Sequence, residues 1–466
     1  MRKTGLTRRD ALGTMAGWFG AHKVLNALAN PVEGSYELAT FSADITVPIG
    51  HALMGGGIAP AQKIEDPLFA NGLVIRGPGK PIALVVLDWC EVRNDAYDRW
   101  RSVLAKAALT EPARVLVTCI HQHDAPVADL EAQQLLNQVK AKGSICDPEF
   151  HETAVQRVAK ALRESRRSFR KVTHYGVGQA RVEYVASNRR YPGPDGKVRF
   201  NRTSATRDPS IRSQPEGTVD PWLKTLSFWD GDRAVVALSC YATHPMSYYG
   251  KGGVSSDFIG IARQRRQADD PAVTQIYVSG CSGNVTAGKY NDGSPENRPV
   301  LADRIYQAML AAWKSTVRHP LAQIGFHAVP LKLDPRNDAG FTVAELQRRL
   351  KNDPKPFGQC LAALGLSWRK RADAGHSIDL PVLDLGKAQL LLLPGESYVE
   401  FQLMAQKLRP DSFVMTMGYG ECATGYVPIE KGFAEGDTNL NDWCWVAPGS
   451  EQRVAAALRA ALKPSR

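Results

Sequence analysis

Val115-Leu116-Val117-Thr118-Cys119-Ile120-His121-Gln122-His123-Asp124 begins as an apolar, β-branched run and stops abruptly at a polar cluster. A run of that length without alternation reads as a strand buried on both faces, and the cluster as the loop beyond it. Five other runs follow the same pattern. Ile82 to Val86 stops at Asp88, Ala234 to Cys240 leads to Thr243-His244-Pro245, and Gln275 to Val278 stops at Ser279-Gly280-Cys281-Ser282-Gly283-Asn284. Leu390 to Leu393 stops at Pro394-Gly395-Glu396, and Phe413 to Met417 at Gly418-Tyr419-Gly420-Glu421. Glu149 to Arg163, Asp303 to Trp313 and Gln452 to Leu462 carry helical periodicity, and the segment from Leu331 to Asp379 is polar and helical. The sequence therefore predicts an α/β protein, with mixed sheets and flanking helices, in one large domain over residues 30–466. In such sheets ligands gather outside the strand ends, so distant residues that each follow a strand are candidates for one site. Asn188 to Gly217 and Lys289 to Pro299 read as loops decorating this body, and no internal repeat shows in the sequence.

With 44% hydrophobic and 23% charged residues in 466, the composition is that of a globular protein. No apolar run reaches the roughly 18 residues that span a bilayer, and the mean hydropathy of −0.27 excludes a multispanning protein. The net charge is +11, of which the first 29 residues carry +4, and no Lys/Arg block or nucleic-acid motif is present. Nucleic acid is not expected as a partner. Residues 1–29 read as a twin-arginine signal peptide: Arg8-Arg9, a mildly apolar stretch from Ala11 to Ala21, and the small residues Ala27-Leu28-Ala29. The mature chain is then periplasmic or extracellular; an amphipathic N-terminal helix is the other reading. Eight cysteines without C-x-x-C spacing argue against a small disulfide scaffold and against a zinc-thiolate site, and leave room for one or two disulfides whose pairing the sequence does not reveal.

His121 and His123, two apart at a strand end, can address one ion or substrate. His244 and Glu396 follow two further strands, and the three strand ends together supply the imidazole and carboxylate donors of a catalytic zinc with a position left for water. Rival motifs fail. His151-Glu152 lacks the second histidine of H-E-x-x-H, and Gly280 to Asn284 lacks the last glycine of a nucleophile elbow. Gly418 to Ala423 fits a loose dinucleotide pattern, but Gly425 and Pro428 stand where its helix would begin.

Read in order, these residues resemble the neutral/alkaline non-lysosomal ceramidase family. The matching motifs are Asp44-Ile45-Thr46-x-Pro48, Met54-Gly55-Gly56, His121-Gln122-His123-Asp124-Ala125-Pro126, Asn188-Arg189-Arg190, Thr243-His244-Pro245, Ser256-Asp257, Gly283-Asn284-Val285-Thr286, Pro394-Gly395-Glu396, Gly425-Tyr426-Val427-Pro428 and Glu435-Gly436. The resemblance covers nearly the whole mature chain. It implies one Zn2+ held by His121, His244, Glu396 and Tyr426, with His123, Arg189 and Thr286 in catalytic roles and Gly55 and Asn284 at the substrate. It further implies hydrolysis of the N-acyl amide of ceramide or a related N-acyl lipid by a zinc-activated water, with peripheral contact to a membrane surface. The sequence departs from the family where Asn284 replaces an aspartate, Thr286 a serine, and Ala423 and Ala434 tyrosines, and the family's C-terminal β-sandwich has no counterpart. These departures leave two alternatives: a zinc esterase or amidase on a non-lipid substrate, and a ligand-binding protein that retains the metal site.

Overall fold

A computed structural model describes residues 35–463; the signal peptide read from residues 1–29 lies outside them. The described chain is built from three units of one topology. In the first, Tyr36–Asp44, Phe69–Arg76 and Ile82–Leu87 form an antiparallel meander, the helix Asn94–Ala108 crosses over, and Val115–Cys119 returns parallel to Ile82–Leu87. The second repeats this with His174–Arg181, Trp222–Asp230 and Arg233–Tyr241, the helix Asp257–Asp269, and Thr274–Ser279. The third uses Gly325–Leu331, Ile378–Asp384 and Ala388–Leu392, the helix Val399–Leu408, and Phe413–Met417. In the first two units a further strand, Arg170–Val172 or Val317–Pro320, closes the outer edge beside the first strand of the meander. The repetition was not visible in the sequence because it is kept by strand order and sense, not by residue identity.

All six apolar runs are strands, and they are the six parallel strands of the three sheets. Their continuous apolar character has a direct cause: the crossover helices pack on a face that an antiparallel strand could leave to solvent. Every residue of Ile82–Leu87, Val115–Cys119 and Ala388–Leu392 is buried. The parallel strands of the three units also touch one another at their ends. Cys119 N donates to Tyr419 O at 3.1 Å, Gly418 N to Ser279 O at 2.9 Å, and Ser279 Oγ to Ile120 O at 2.7 Å. The ends that sequence reading marked as polar clusters thus converge on one place.

Between the first two strands of each unit the chain makes a long excursion, residues 45–68, 182–221 and 332–377. Asn188 to Gly217 is not the plain loop expected from its composition. Ser187–Asn188 pairs with Val285–Thr286, and Arg190–Pro192 and Val198–Asn201 form a hairpin whose Tyr191 and Phe200 rings stack at 4.9 Å. Arg202 organises the remainder by donating to the backbone carbonyls of Asn188, Gln214, Pro215 and Glu216. Residues 332–377 hold two helices, Val343–Asn352 and Pro356–Asp373. All eight cysteines are free and buried. Among the described residues no helix is long and apolar enough to cross a membrane.

Candidate active site

His121 lies two residues beyond its strand with φ of 68°, and Tyr419 holds the same place in the third unit with φ of 58°. This left-handed conformation is uncommon outside glycine, and here it turns both side chains inward immediately past the strand. Their rings stack, centroids 4.2 Å apart. His244 and Glu396 instead follow the third strand of the meander, Arg233–Tyr241 in the second unit and Ala388–Leu392 in the third, before the crossover helix. His244 and Glu396 hold the same register position: His244 bridges in parallel to Thr286, and Glu396 pairs in parallel with Tyr426.

The three donors meet. His121 Nε2 lies 3.1 Å from His244 Nε2, and Glu396 Oε2 lies 2.9 Å from His244 Nε2 and 3.3 Å from His121 Nε2. The outer ring nitrogens are committed elsewhere: His121 Nδ1 to the carbonyl of Cys90 at 2.9 Å, and His244 Nδ1 to the carbonyl of Ser282 at 2.6 Å. A carbonyl only accepts, so each Nδ1 carries the proton and each Nε2 presents a lone pair. Two lone pairs and a carboxylate converging in a buried space, with both imidazoles oriented from behind, form a donor set that fits a divalent cation. Burial alone would raise the Glu396 carboxyl; when no ion lies between them, a proton on the facing imidazoles, His121 foremost, overcomes it and holds the acid below the usual carboxylate range, and a cation would take that proton's place.

Beside these donors is a cavity of about 230 Å³, lined by His121, His123, Glu396, Arg189 and Tyr426 together with Cys90, Met54, Phe357, Trp443, Thr438, Asn439 and Asp442. The three excursions wall it: Met54 comes from the first, Arg189 from the second and Phe357 from the third. Arg189 is buried, donates from Nη1 to the Tyr426 hydroxyl at 2.6 Å and to Gly283 O at 3.3 Å, and has no carboxylate within ion-pair reach among the described residues. Its Nε has no partner. A fixed cation of this kind suits an oxygen that gains negative charge. His123 is held well below the ordinary imidazole range by burial and by the neighbouring His121 and His244, and its Nδ1 has no partner. It is a neutral imidazole facing the cavity.

Not every expected residue reaches the cavity. Thr286 is buried, with its hydroxyl donating to Thr203 O at 2.7 Å and accepting from Gly288 N, so it serves the turn after its strand. Asn284 accepts from Val399 N and donates to Glu400, bracing the crossover helix of the third unit. Gly55, φ 60°, sits behind Trp443, where an added Cβ would meet the indole at 3.6 Å. It shapes the wall without lining it.

Sequence reading passed over Cys90, Tyr419, Glu91 and Trp443. Glu91 is wholly buried, pairs with Arg93 at 2.7 Å and accepts from Trp443 Nε1 at 3.2 Å, so it ties its strand end to the apolar wall. The available signal was position alone: Glu91 pairs in parallel with Val127, the same arrangement that Glu396 makes with Tyr426.

Neither a family model nor a curated protein sequence matches the chain. Among solved structures it is similar to neutral ceramidase from Pseudomonas aeruginosa, with a TM-score of 0.67 and 15% identity over 92% of this chain and 74% of that one. It is also similar to a ceramidase complexed with C2, with a TM-score of 0.66 and 16% identity over 92% of this chain and 75% of that one. The chain has the neutral ceramidase fold.

Proposed function

We propose that the protein is a zinc-dependent hydrolase of N-acyl amide bonds, with ceramide or a related N-acyl lipid as substrate. The observation that carries this reading is the meeting of His121 Nε2, His244 Nε2 and Glu396 Oε2 beside an uncharged His123 and an Arg189 free of carboxylate partners, in a protein with the neutral ceramidase fold. His121, His244 and Glu396 would hold the ion, with the Tyr426 phenol as fourth donor. A bound zinc supplies Lewis acidity at the carbonyl and acidifies a water.

The chain's own residues do the rest. His123, which lines the cavity with an unpartnered Nδ1, takes the proton of the attacking water and returns it to the leaving nitrogen. Arg189 donates to the oxygen that becomes anionic in the tetrahedral state. Met54, Phe357 and Trp443 receive apolar substrate, and the cavity, smaller than the ~300–1,000 Å³ of typical ligand pockets, encloses the amide and its near neighbours while longer chains extend beyond it. Export through the Arg8-Arg9 signal belongs to the same proposal.

Metal analysis of purified protein should give about one zinc per chain. An N-acyl panel including fluorescent ceramide, simple amides and esters should show hydrolysis that His121→Ala abolishes while the protein stays folded. Zinc-loaded protein inert on the whole panel would overturn the hydrolase reading in favour of a ligand-binding protein.

A further inference from the structure

Cys90, His121 and His123 form a second group of donors whose ligand atoms all lie within 4.8 Å of one another. All three line the cavity, the Cys90 sulfur lies 3.9 Å from His121 Nδ1, and His123 Nδ1 is buried without a partner. One sulfur and two imidazoles are a softer set than the two imidazoles and carboxylate of His121, His244 and Glu396. His121 is common to both sets.

We propose that Cys90, His121 and His123 form a second cation position that takes soft ions, cadmium or monovalent copper, and competes with the His121, His244 and Glu396 position for the His121 imidazole. Binding there turns the Cys90 thiol into a thiolate, its proton leaving to solvent, and places sulfur and two nitrogens on the ion. Because His121 Nδ1 is committed to the Cys90 carbonyl, only the Nε2 lone pair is offered to either position, and the two are alternatives. A soft ion therefore removes a donor from the first position and inhibits hydrolysis; this inhibitory consequence alone rests on the proposed function.

The experiment adds cadmium to metal-free full-length protein and follows the thiolate-to-metal charge-transfer band in the ultraviolet. Wild type should develop the band with about one ion per chain, and Cys90→Ser should not. His244→Ala, which dismantles only the first position, should keep it, and His123→Ala should weaken cadmium binding at least tenfold. The other seven cysteines belong to no such donor group among the described residues, so the band reports Cys90. A band-free wild-type complex, or an equal band in Cys90→Ser, would overturn the proposal whatever the enzyme assay shows. In that assay the half-inhibiting cadmium concentration should rise at least tenfold in Cys90→Ser; an unchanged value would overturn the inhibitory role while leaving the spectroscopic result to stand or fall separately.

Discussion

At the scale of single residues, Glu396 makes the sharpest prediction. It is the only carboxylate of the principal donor set, and its oxygen sits 2.9 Å and 3.3 Å from the two imidazoles. Glu396→Gln keeps the shape and removes the charge, so zinc affinity measured by chelator competition should fall by more than the roughly 10–100-fold typical of losing an outer-shell partner. His151 supports a different test. Its ring nitrogens have no partners, its ring packs against Trp89 and Trp100, and burial lowers its pKa to about 4. The folded state resists protonation while the unfolded chain protonates near 6.5, so the stability is whole above pH 6.5 and is lost as pH falls toward 4. The loss approaches about 3 kcal/mol. Thermal melts of His151→Phe followed by tryptophan fluorescence should show this part of the acid sensitivity gone; an unchanged pH dependence would refute the assignment. His121, His123, His244 and Glu396 could be read from sequence because each follows a strand end in a polar cluster. Arg189 and Tyr426 came only through resemblance, and Cys90 and Trp443 carried no signal, since a buried thiol or ring looks the same in a core and in a cavity wall.

At the scale of elements, the turn after Thr274–Ser279 is pressed against the short strand Glu396–Ser397. Gly283 N donates to Ser397 O at 3.0 Å, and a Cβ on Gly283 would stand 2.1 Å from the backbone oxygen of Glu396. Backbone cannot yield as a flexible side chain can. Gly283→Ala should therefore cost about 1–3 kcal/mol in chemical denaturation and, because Glu396 moves with its strand, weaken zinc binding as well. A variant with lowered stability but wild-type metal affinity would show that the turn and the donor are not coupled. The parallel strands were legible because burial on both faces leaves an unbroken apolar run. The hairpin of Arg190–Pro192 and Val198–Asn201 was not: one stacked aromatic pair and a short backbone ladder hold it, and neither produces a periodic pattern.

At the scale of the whole molecule, the principal donors come one unit at a time: His121 from the first, His244 from the second, Glu396 from the third. An ion there links all three, so chelation should lower the melting temperature by a few degrees and added zinc restore it, with one cooperative transition in both states. Two resolved transitions would count against this linkage. Export is tested on the same scale: replacing Arg8 and Arg9 by lysines should leave the protein in the cytoplasm, as cell fractionation would show. The fold class was legible from the sequence, whereas its threefold plan was not, because equivalent positions hold a glutamate, a histidine and a second glutamate at 91, 244 and 396.

That division of donors among successive units carries a temporal consequence for synthesis. A nascent polypeptide emerging from the ribosome holds no complete centre until residue 396 has appeared, and lacks the Tyr426 phenol until residue 426. Whatever reaction the protein performs is withheld throughout most of translation, so a truncated or stalled product is chemically silent rather than partly active.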